Sequence, residues 1–344
     1  MKFRLAFVGF GKVAQGLTEL LVRKHDQLKH DYGFDCRIVA VADTVKGSIM
    51  NKRGLDPERL LHLARTDESL RAYPKGSKGL SSIETIKKAE ANVLVETTWT
   101  NLTDGEPGLT HIKTALIEGL HVVTTNKGPI ALAYHELVAL AERRQRQLRF
   151  EGTVLSGTPV ISLLTETLAG STINSIRGIL NGTTNYILGE MEGGRTYEEA
   201  LRAAQERGYA EADSSGDVEG WDAAAKITIL SNAGMDGRLK LADVHREGIV
   251  GITARDVRDA ASAGMRIKLV AAAYAENGKV TAQVTHERLP ETDPLSRIPG
   301  VMNAVIISTD VQADIIVVGP GAGADSAGYA LLSDLLAIDR FLTK

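Results

Sequence analysis

The 344-residue sequence has a single cysteine, Cys36. One thiol excludes an internal disulfide and a cysteine-rich zinc site. Aromatic residues make up 5% of the chain, and neither sign of charge dominates: 40 Lys and Arg against 43 Asp and Glu, a net charge of -3. There is no basic field to attract nucleic acid and no polybasic membrane anchor. No apolar run reaches the roughly 18 residues of a membrane span. The N-terminus enters an apolar strand at once, without the layout of a signal peptide. No nucleic-acid or membrane partner is expected, and a cytoplasmic location is. What the sequence does have is glycine, 34 residues of it, small aliphatics, and an overall 43% hydrophobic content. This is the make-up of a globular α/β protein, and the length predicts two domains.

Short apolar strands alternate with helical spacing through the first part of the chain. Strands are expected at 2–8, 36–43, 92–98, 121–125 and 148–154, and helical spacing over 17–28, 82–91, 110–119 and 134–147. Strands apolar on both faces and separated by helices imply a Rossmann-type doubly wound parallel sheet. Beyond it the pattern changes. A helix is expected from Pro159, a strand at 173–180, helices at 197–208, 220–234 and 253–262, and a group of strands between 266 and 321. This reads as an α+β substrate and dimerisation domain, 151–318, set before a last helix that returns to the first domain. The nucleotide domain is therefore expected to comprise 1–150 plus 319–344.

Gly9-Phe10-Gly11-Lys12-Val13-Ala14 fits G-x-G-x-x-G/A, follows a strand and opens a helix. In that context Gly9 permits the tight turn, Gly11 lets a pyrophosphate approach the backbone, and the helix N-terminus faces the phosphates. The second strand ends at Asp43, 34 residues after Gly9, where an acid would bind the ribose 2′-hydroxyl of NAD. Lys46, Lys52 and Arg53 follow and could instead bind the 2′-phosphate of NADP, so the reading leaves NAD and NADP both open. A second glycine turn, Gly319 to Gly323, could bring backbone to the cofactor if the last helix folds back.

A hydride carrier leaves the protein to orient the substrate and move a proton. Lys127, in TTNKGP just after the fourth strand, is a candidate acid or charge clamp at a strand's carboxyl end. Asp222 and Lys226 lie four apart on one helical face. That helix is rich in Ala and Ile, and a half-buried lysine there would have its pKa lowered by desolvation and become a better proton donor. Acids close by, in GYAEADSSGD, could hold a substrate ammonium. NGTTNYIL reads as a capped turn entering a helix, and EGTVLSGTP could turn carbonyls toward a monovalent cation.

The set of motifs in this order, GFGKVAQG, TTNKGP, EGTVLSGTP, GILNGTTNYIL, GYAEADSSGDVEGWDAAAKITIL and GPGAGADSAG, resembles homoserine dehydrogenase over nearly the whole chain. The resemblance implies reversible oxidation of L-homoserine to L-aspartate 4-semialdehyde with NAD or NADP, in threonine and methionine biosynthesis. It implies Lys226 as general acid/base, Lys127 at substrate or cofactor, and Glu211, Asp222 and Asp217 on homoserine. It places the cofactor on Phe10, Gly11, Val13, Thr97, Thr98 and Gly323. It places a sodium ion on Glu151, Val154, Ser156 and Thr158, chiefly through main-chain oxygens; Ser156 stands where the family has Gly or Ala. A homodimer and the short form, without aspartokinase or C-terminal regulatory domain, are further expectations. Substrate is expected in a cleft between the domains.

Other readings compete with this one. Aspartate-semialdehyde dehydrogenase acts on the same metabolite but needs a cysteine nucleophile; Cys36 precedes a strand of the nucleotide domain, which argues against it. Another NAD(P)-dependent amino-acid or hydroxy-acid dehydrogenase is a broader alternative. A non-catalytic NAD(P)-binding sensor would have no use for Lys127, Glu211, Asp222 and Lys226 together.

Overall fold

The computed structural model describes residues 2–66 and 69–342. In chain order the elements begin β1 (Lys2–Val8), α1 (Lys12–Arg23), α2 (His25–Tyr32), β2 (Asp35–Asp43), β3 (Gly47–Met50), α3 (Pro57–Arg65), β4 (Ser77–Lys78), α4 (Ser82–Lys88) and β5 (Val93–Glu96). Then come α5 (Gly108–Ile117), β6 (His121–Thr124), α6 (Lys127–Arg143), β7 (Leu148–Arg149), β8 (Ile173–Ile179), α7 (Gly182–Glu192), α8 (Tyr197–Glu206), α9 (Ser215–Val218) and α10 (Trp221–Gly234). The chain finishes with β9 (His245–Arg246), α11 (Ala254–Ser262), β10 (Met265–Glu276), β11 (Lys279–Pro290), β12 (Met302–Thr309), β13 (Ile315–Pro320) and α12 (Ala324–Leu342). These form two compact units, one of residues 1–157 with 323–344 and one of 158–322.

The first unit holds a sheet of order β4-β3-β2-β1-β5-β6-β7. From β2 to β7 the neighbours are parallel. Phe3, Leu5, Phe7 and Val93 have no exposed surface, as expected of strands covered on both faces. The sheet differs from the expected all-parallel one at its edge, where β3 and β4 run antiparallel. A short turn makes the hairpin from β2: Asp43 Oδ1 accepts from the main-chain N–H groups of Val45 (2.9 Å) and Lys46 (2.8 Å), and Gly47 takes φ +86°. Aspartate supplies such a turn from its own side chain. The last helix packs on α1 through two glycines. A Cβ on Gly16 would lie 2.8 Å from Ala324 O, and one on Gly328 would lie 2.7 Å from Leu17 N.

Two more expectations change in this unit. The strand expected over 148–154 stops at Arg149 and gives way to a 3-10 turn, Glu151–Thr153. Helix α6 starts at Lys127, seven residues before the periodic pattern suggested, because Asn126 caps it: its side-chain oxygen accepts from Gly128 N at 3.1 Å. The helix loses regular geometry at Ala133 (φ -136°), beside the expected start.

The second unit holds a sheet of order β13-β12-β8-β10-β11-β9, antiparallel except for the β9–β11 pair. The β10–β11 hairpin turns at Asn277-Gly278, both with positive φ, as two-residue hairpins require. The helix expected from Pro159 becomes, over Leu163–Thr167, a π-helical turn closed by Leu168 N to Leu163 O at 2.9 Å. Among the described residues no helix is long and apolar enough to cross a membrane.

Candidate active site

In the first unit, the carboxyl ends of β1, β2 and β5 border a cleft of about 510 Å³, lined among others by Gly9, Gly11, Asp43, Thr97, Thr98, Trp99 and His111. Gly9 has φ +84°, and a Cβ there would lie 2.6 Å from Thr97 O. Only glycine fits that turn. Gly11 precedes α1 and has no atom in the way of a Cβ within 4 Å. No side chain caps this helix, so its first N–H groups are left to a ligand. An uncapped N-terminus of a 12-residue helix, next to open space beside a glycine, fits a dinucleotide pyrophosphate.

Asp43 closes β2 within the cleft lining, and its Oδ2 accepts from Phe10 N at 2.7 Å. Phe10 itself is buried in the core with its ring edge-on to Phe7, so only its peptide faces the glycine turn. Val13 is half-buried against the same core. The lining reaches Val45 and includes neither Lys46 nor Arg53. Lys46 belongs to the β2–β3 turn, Arg53 is exposed on the turn after β3, and Lys52 pairs with Glu90. Gly323 has φ +135°, and its carbonyl accepts from Ser156 Oγ at 3.4 Å.

A buried carboxylate that the sequence pattern did not single out sits beneath this cleft. Glu96 has no exposed surface. It accepts from Thr98 N (3.1 Å), from the Thr98 hydroxyl and from Thr124 Oγ1 (3.0 Å), and His111 Nδ1 stands 3.6 Å away. Asn126 donates to Thr98 Oγ1 (3.2 Å) and Trp99 O (3.1 Å). The network ties the ends of β5 and β6 together and fixes the start of α6, where Lys127 stands. Its signal was the one acid at the end of an otherwise apolar strand.

The loop after β7 carries Glu151, Val154 and Ser156, all buried. Leu155 and Ser156 both have positive φ, 54° and 52°, costly for residues with side chains. Thr158 belongs to the second unit, where its hydroxyl donates to Pro320 O at 3.3 Å.

The second unit gathers three of the expected side chains. Lys226, 7% exposed, donates through Nζ to Asp222 Oδ2 at 2.7 Å and to Leu180 O at 2.6 Å. Helix α10 buries every residue from Ala223 to Asn232, and that places the lysine among apolar neighbours. Asp217, on the short helix α9, is joined to Asp222 through Asn181, whose amide donates to Asp217 Oδ1 (2.6 Å) and Asp222 Oδ2 (3.0 Å). Burial and the Asp222 charge push the Asp217 carboxyl above its usual range, against the hydrogen bond from Asn181, the nearby Thr183 hydroxyl and the charge of Lys226. Glu211 is not drawn in: it is exposed on the loop before α9, where its carbonyl accepts from Gln205 Nε2 at 3.3 Å. NGTTNYIL is the first two turns of α7 with its cap, and Asn181 within it is a site residue that the sequence reading passed over. The spacing held no hint of it, because the amide meets its partners 36 and 41 residues away. Cys36 lies at the opposite end of β2 from Asp43.

A dinucleotide cradle on one unit and a buried lysine–carboxylate set on the other define an NAD(P)-dependent oxidoreductase. The family model described as "Homoserine dehydrogenase, NAD binding domain" matches residues 9–151, and that described as "Homoserine dehydrogenase" matches 159–336. An NAD(+)-dependent homoserine dehydrogenase of Pseudomonas canavaninivorans is 41% identical, over 100% of this chain and 98% of its own length. A homoserine dehydrogenase of Methanocaldococcus jannaschii is 39% identical, over 97% and 98%. The crystal structure of a homoserine dehydrogenase from Thiobacillus denitrificans superposes with a TM-score of 0.86 at 31% identity, covering 100% of this chain and 74% of that one. A hyperthermophilic archaeal homoserine dehydrogenase mutant in complex with NADPH gives 0.86 at 29% identity, over 99% and 98%. The chain belongs to the homoserine dehydrogenase family.

Proposed function

We propose that Lys226 carries the proton in the interconversion of L-homoserine and L-aspartate 4-semialdehyde, with Asp217 and Asp222 holding the substrate. The observation that carries this is a buried lysine whose Nζ has two fixed acceptors, Leu180 O and Asp222. An ammonium has three N–H groups, so one direction is left for a substrate oxygen. In the reductive direction Lys226 gives a proton to the carbonyl oxygen as it gains charge. In the oxidative direction its amine removes the hydroxyl proton. Asp217 and Asp222 are acceptors for the substrate ammonium, and Glu211 adds a further carboxylate from its exposed loop. The bound nicotinamide supplies the hydride chemistry. Gly9, Gly11 and the N-terminus of α1 hold the pyrophosphate, with Val13 beside it. Thr97, Thr98 and Gly323 line the rest of the cofactor's path, and Lys127 lies at its reactive end.

Asp43 favours NAD over NADP. Its carboxylate borders the cleft where a ribose 2′-hydroxyl would donate to it, and a 2′-phosphate would meet like charge. The NAD(+)-dependent relative at 41% identity supports the same preference. The main-chain oxygens of Glu151, Val154 and Ser156, turned by two left-handed residues, suit a monovalent cation. A homodimer fits the outer strand β13, which leaves Ile316 and Val318 about half exposed along a free sheet edge.

The test is L-homoserine-dependent reduction of NAD and of NADP, run side by side. Turnover with NAD at the higher kcat/KM is expected. No turnover with either coenzyme would refute the function, and a preference for NADP would refute the role of Asp43.

A further inference from the structure

Asn181 is 4% exposed and lies between β8 and α7. Its side-chain oxygen accepts from Thr184 N at 2.8 Å, which caps α7. Its amide nitrogen donates to Asp217 Oδ1 at 2.6 Å and to Asp222 Oδ2 at 3.0 Å. A primary amide has one acceptor oxygen and two N–H donors, so each of the three has a partner. Capping needs only the oxygen, and Ser or Asp would serve it as well. What Asn adds is a neutral group that donates twice, between carboxylates on two different helices, α9 and α10. Without it, two half-buried carboxylates would face each other across the gap between α9 and α10, beside the charge of Lys226.

We propose that Asn181 is a positioning residue, which aligns Asp217 and Asp222 as a joint acceptor for the substrate ammonium and keeps Asp222 on Lys226. The inference rests on the reading that these carboxylates bind substrate. It extends to the neighbouring residues of the same turn. Leu180 gives its carbonyl to Lys226, and Thr183 gives its hydroxyl to Tyr209 O at 2.8 Å, anchoring the loop that leads to the acids. One turn, through contacts made by Leu180, Asn181 and Thr183, sets the position of the whole group.

The consequence is a particular dependence on pH. The groups facing Asp217 are Asp222, Lys226, Asn181 and Thr183. Removing the Asn181 donor removes a bond to the charged form and leaves the repulsion from Asp222, so Asp217 holds its proton to higher pH. A protonated Asp217 no longer accepts an ammonium as an anion.

Asn181→Ser and Asn181→Asp separate this role from capping, because both retain an oxygen for Thr184 N. The measurements are kcat/KM for L-homoserine against pH, KM for NAD, and the melting temperature. Asn181→Ser is expected to melt close to wild type, to keep the KM for NAD, and to raise the KM for homoserine about 10-fold, the size of a lost hydrogen bond to a charged group. Its acid limb moves to higher pH, and raising the pH recovers part of the loss. Asn181→Asp, which brings a third carboxylate, shifts the limb further. A folded variant with wild-type homoserine KM and an unmoved acid limb would overturn the proposal. So would a loss equal at every pH and shared with the KM for NAD. Should Asn181→Ser fail to fold, Asn181→Asp decides by the same criteria, and failure of both shows a structural role and overturns it too. Failure of the functional reading itself is seen separately, as wild-type enzyme inert toward homoserine.

Discussion

The two units reach their chemistry by different means. The first builds a cradle from main chain: a glycine turn at φ +84°, an uncapped helix N-terminus, and an aspartate that accepts from peptide N–H groups. The second builds from side chains: Lys226, Asp222, Asp217 and Asn181, linked by hydrogen bonds of 2.6 to 3.0 Å among apolar neighbours. A main-chain site tolerates many side chains and is sensitive to an added Cβ. A side-chain site fails when a single donor or charge is removed, because buried polar groups left without partners are costly.

Truncating the lysine gives the largest contrast. Lys226→Ala should lower kcat for homoserine oxidation about 10²–10⁴-fold, the worth of a general acid/base, while NADH titrated by fluorescence binds as in wild type. A smaller loss, or a loss of cofactor binding, would blur the division between the units. The cradle comes next. Gly11→Ala adds a Cβ in open space at φ -76°, so its melting temperature should stay while NAD affinity falls. Gly9→Ala meets Thr97 O at 2.6 Å with a positive φ, so both should fall, stability by about 1–3 kcal/mol. Equal behaviour of the two variants would contradict the separate roles of these glycines.

The last effect concerns stability against pH, and it belongs to the first unit. Burial, with help from Arg146, lowers the His121 pKa to about 4 from the usual 6.5, and its Nδ1 accepts from Gln147 N at 2.9 Å. Between pH 4 and 6.5 the unfolded chain binds more protons at this position than the folded one. Stability therefore rises with pH through that window and levels off above it, by up to about 3 kcal/mol. Urea unfolding of wild type and His121→Gln at pH 4.5 and 7 checks this: the variant should show less of the rise.

The same division decides what the sequence makes legible. The first unit's strands are apolar throughout and its glycine motif is contiguous, so β1, α1, β2, β5 and β6 can be read from local pattern. The antiparallel β3–β4 edge escapes that reading because GSIM is short and its turn is made by the Asp43 side chain, otherwise expected at the ribose. The early start of α6 escapes because Lys-Gly-Pro looks like a turn until Asn126 is seen to cap it. In the second unit Asp222 and Lys226 are legible, being one helical turn apart. Asn181 and Leu180 are not: they meet that pair from over 40 residues away in sequence. Glu96 is hidden for a related reason, since two of its partners, His111 on α5 and Thr124 on β6, lie 15 and 28 residues further along the chain.

The measurement that tests the central claim most directly is chemical rescue of Lys226→Ala. The variant, shown to bind NADH normally, is assayed for L-homoserine oxidation with added small primary amines. The account predicts that turnover returns in proportion to the free-amine concentration and rises with pH as the amine loses its proton. Substantial turnover without added amine, or none with it while homoserine still binds, would contradict the assignment of the proton to Lys226.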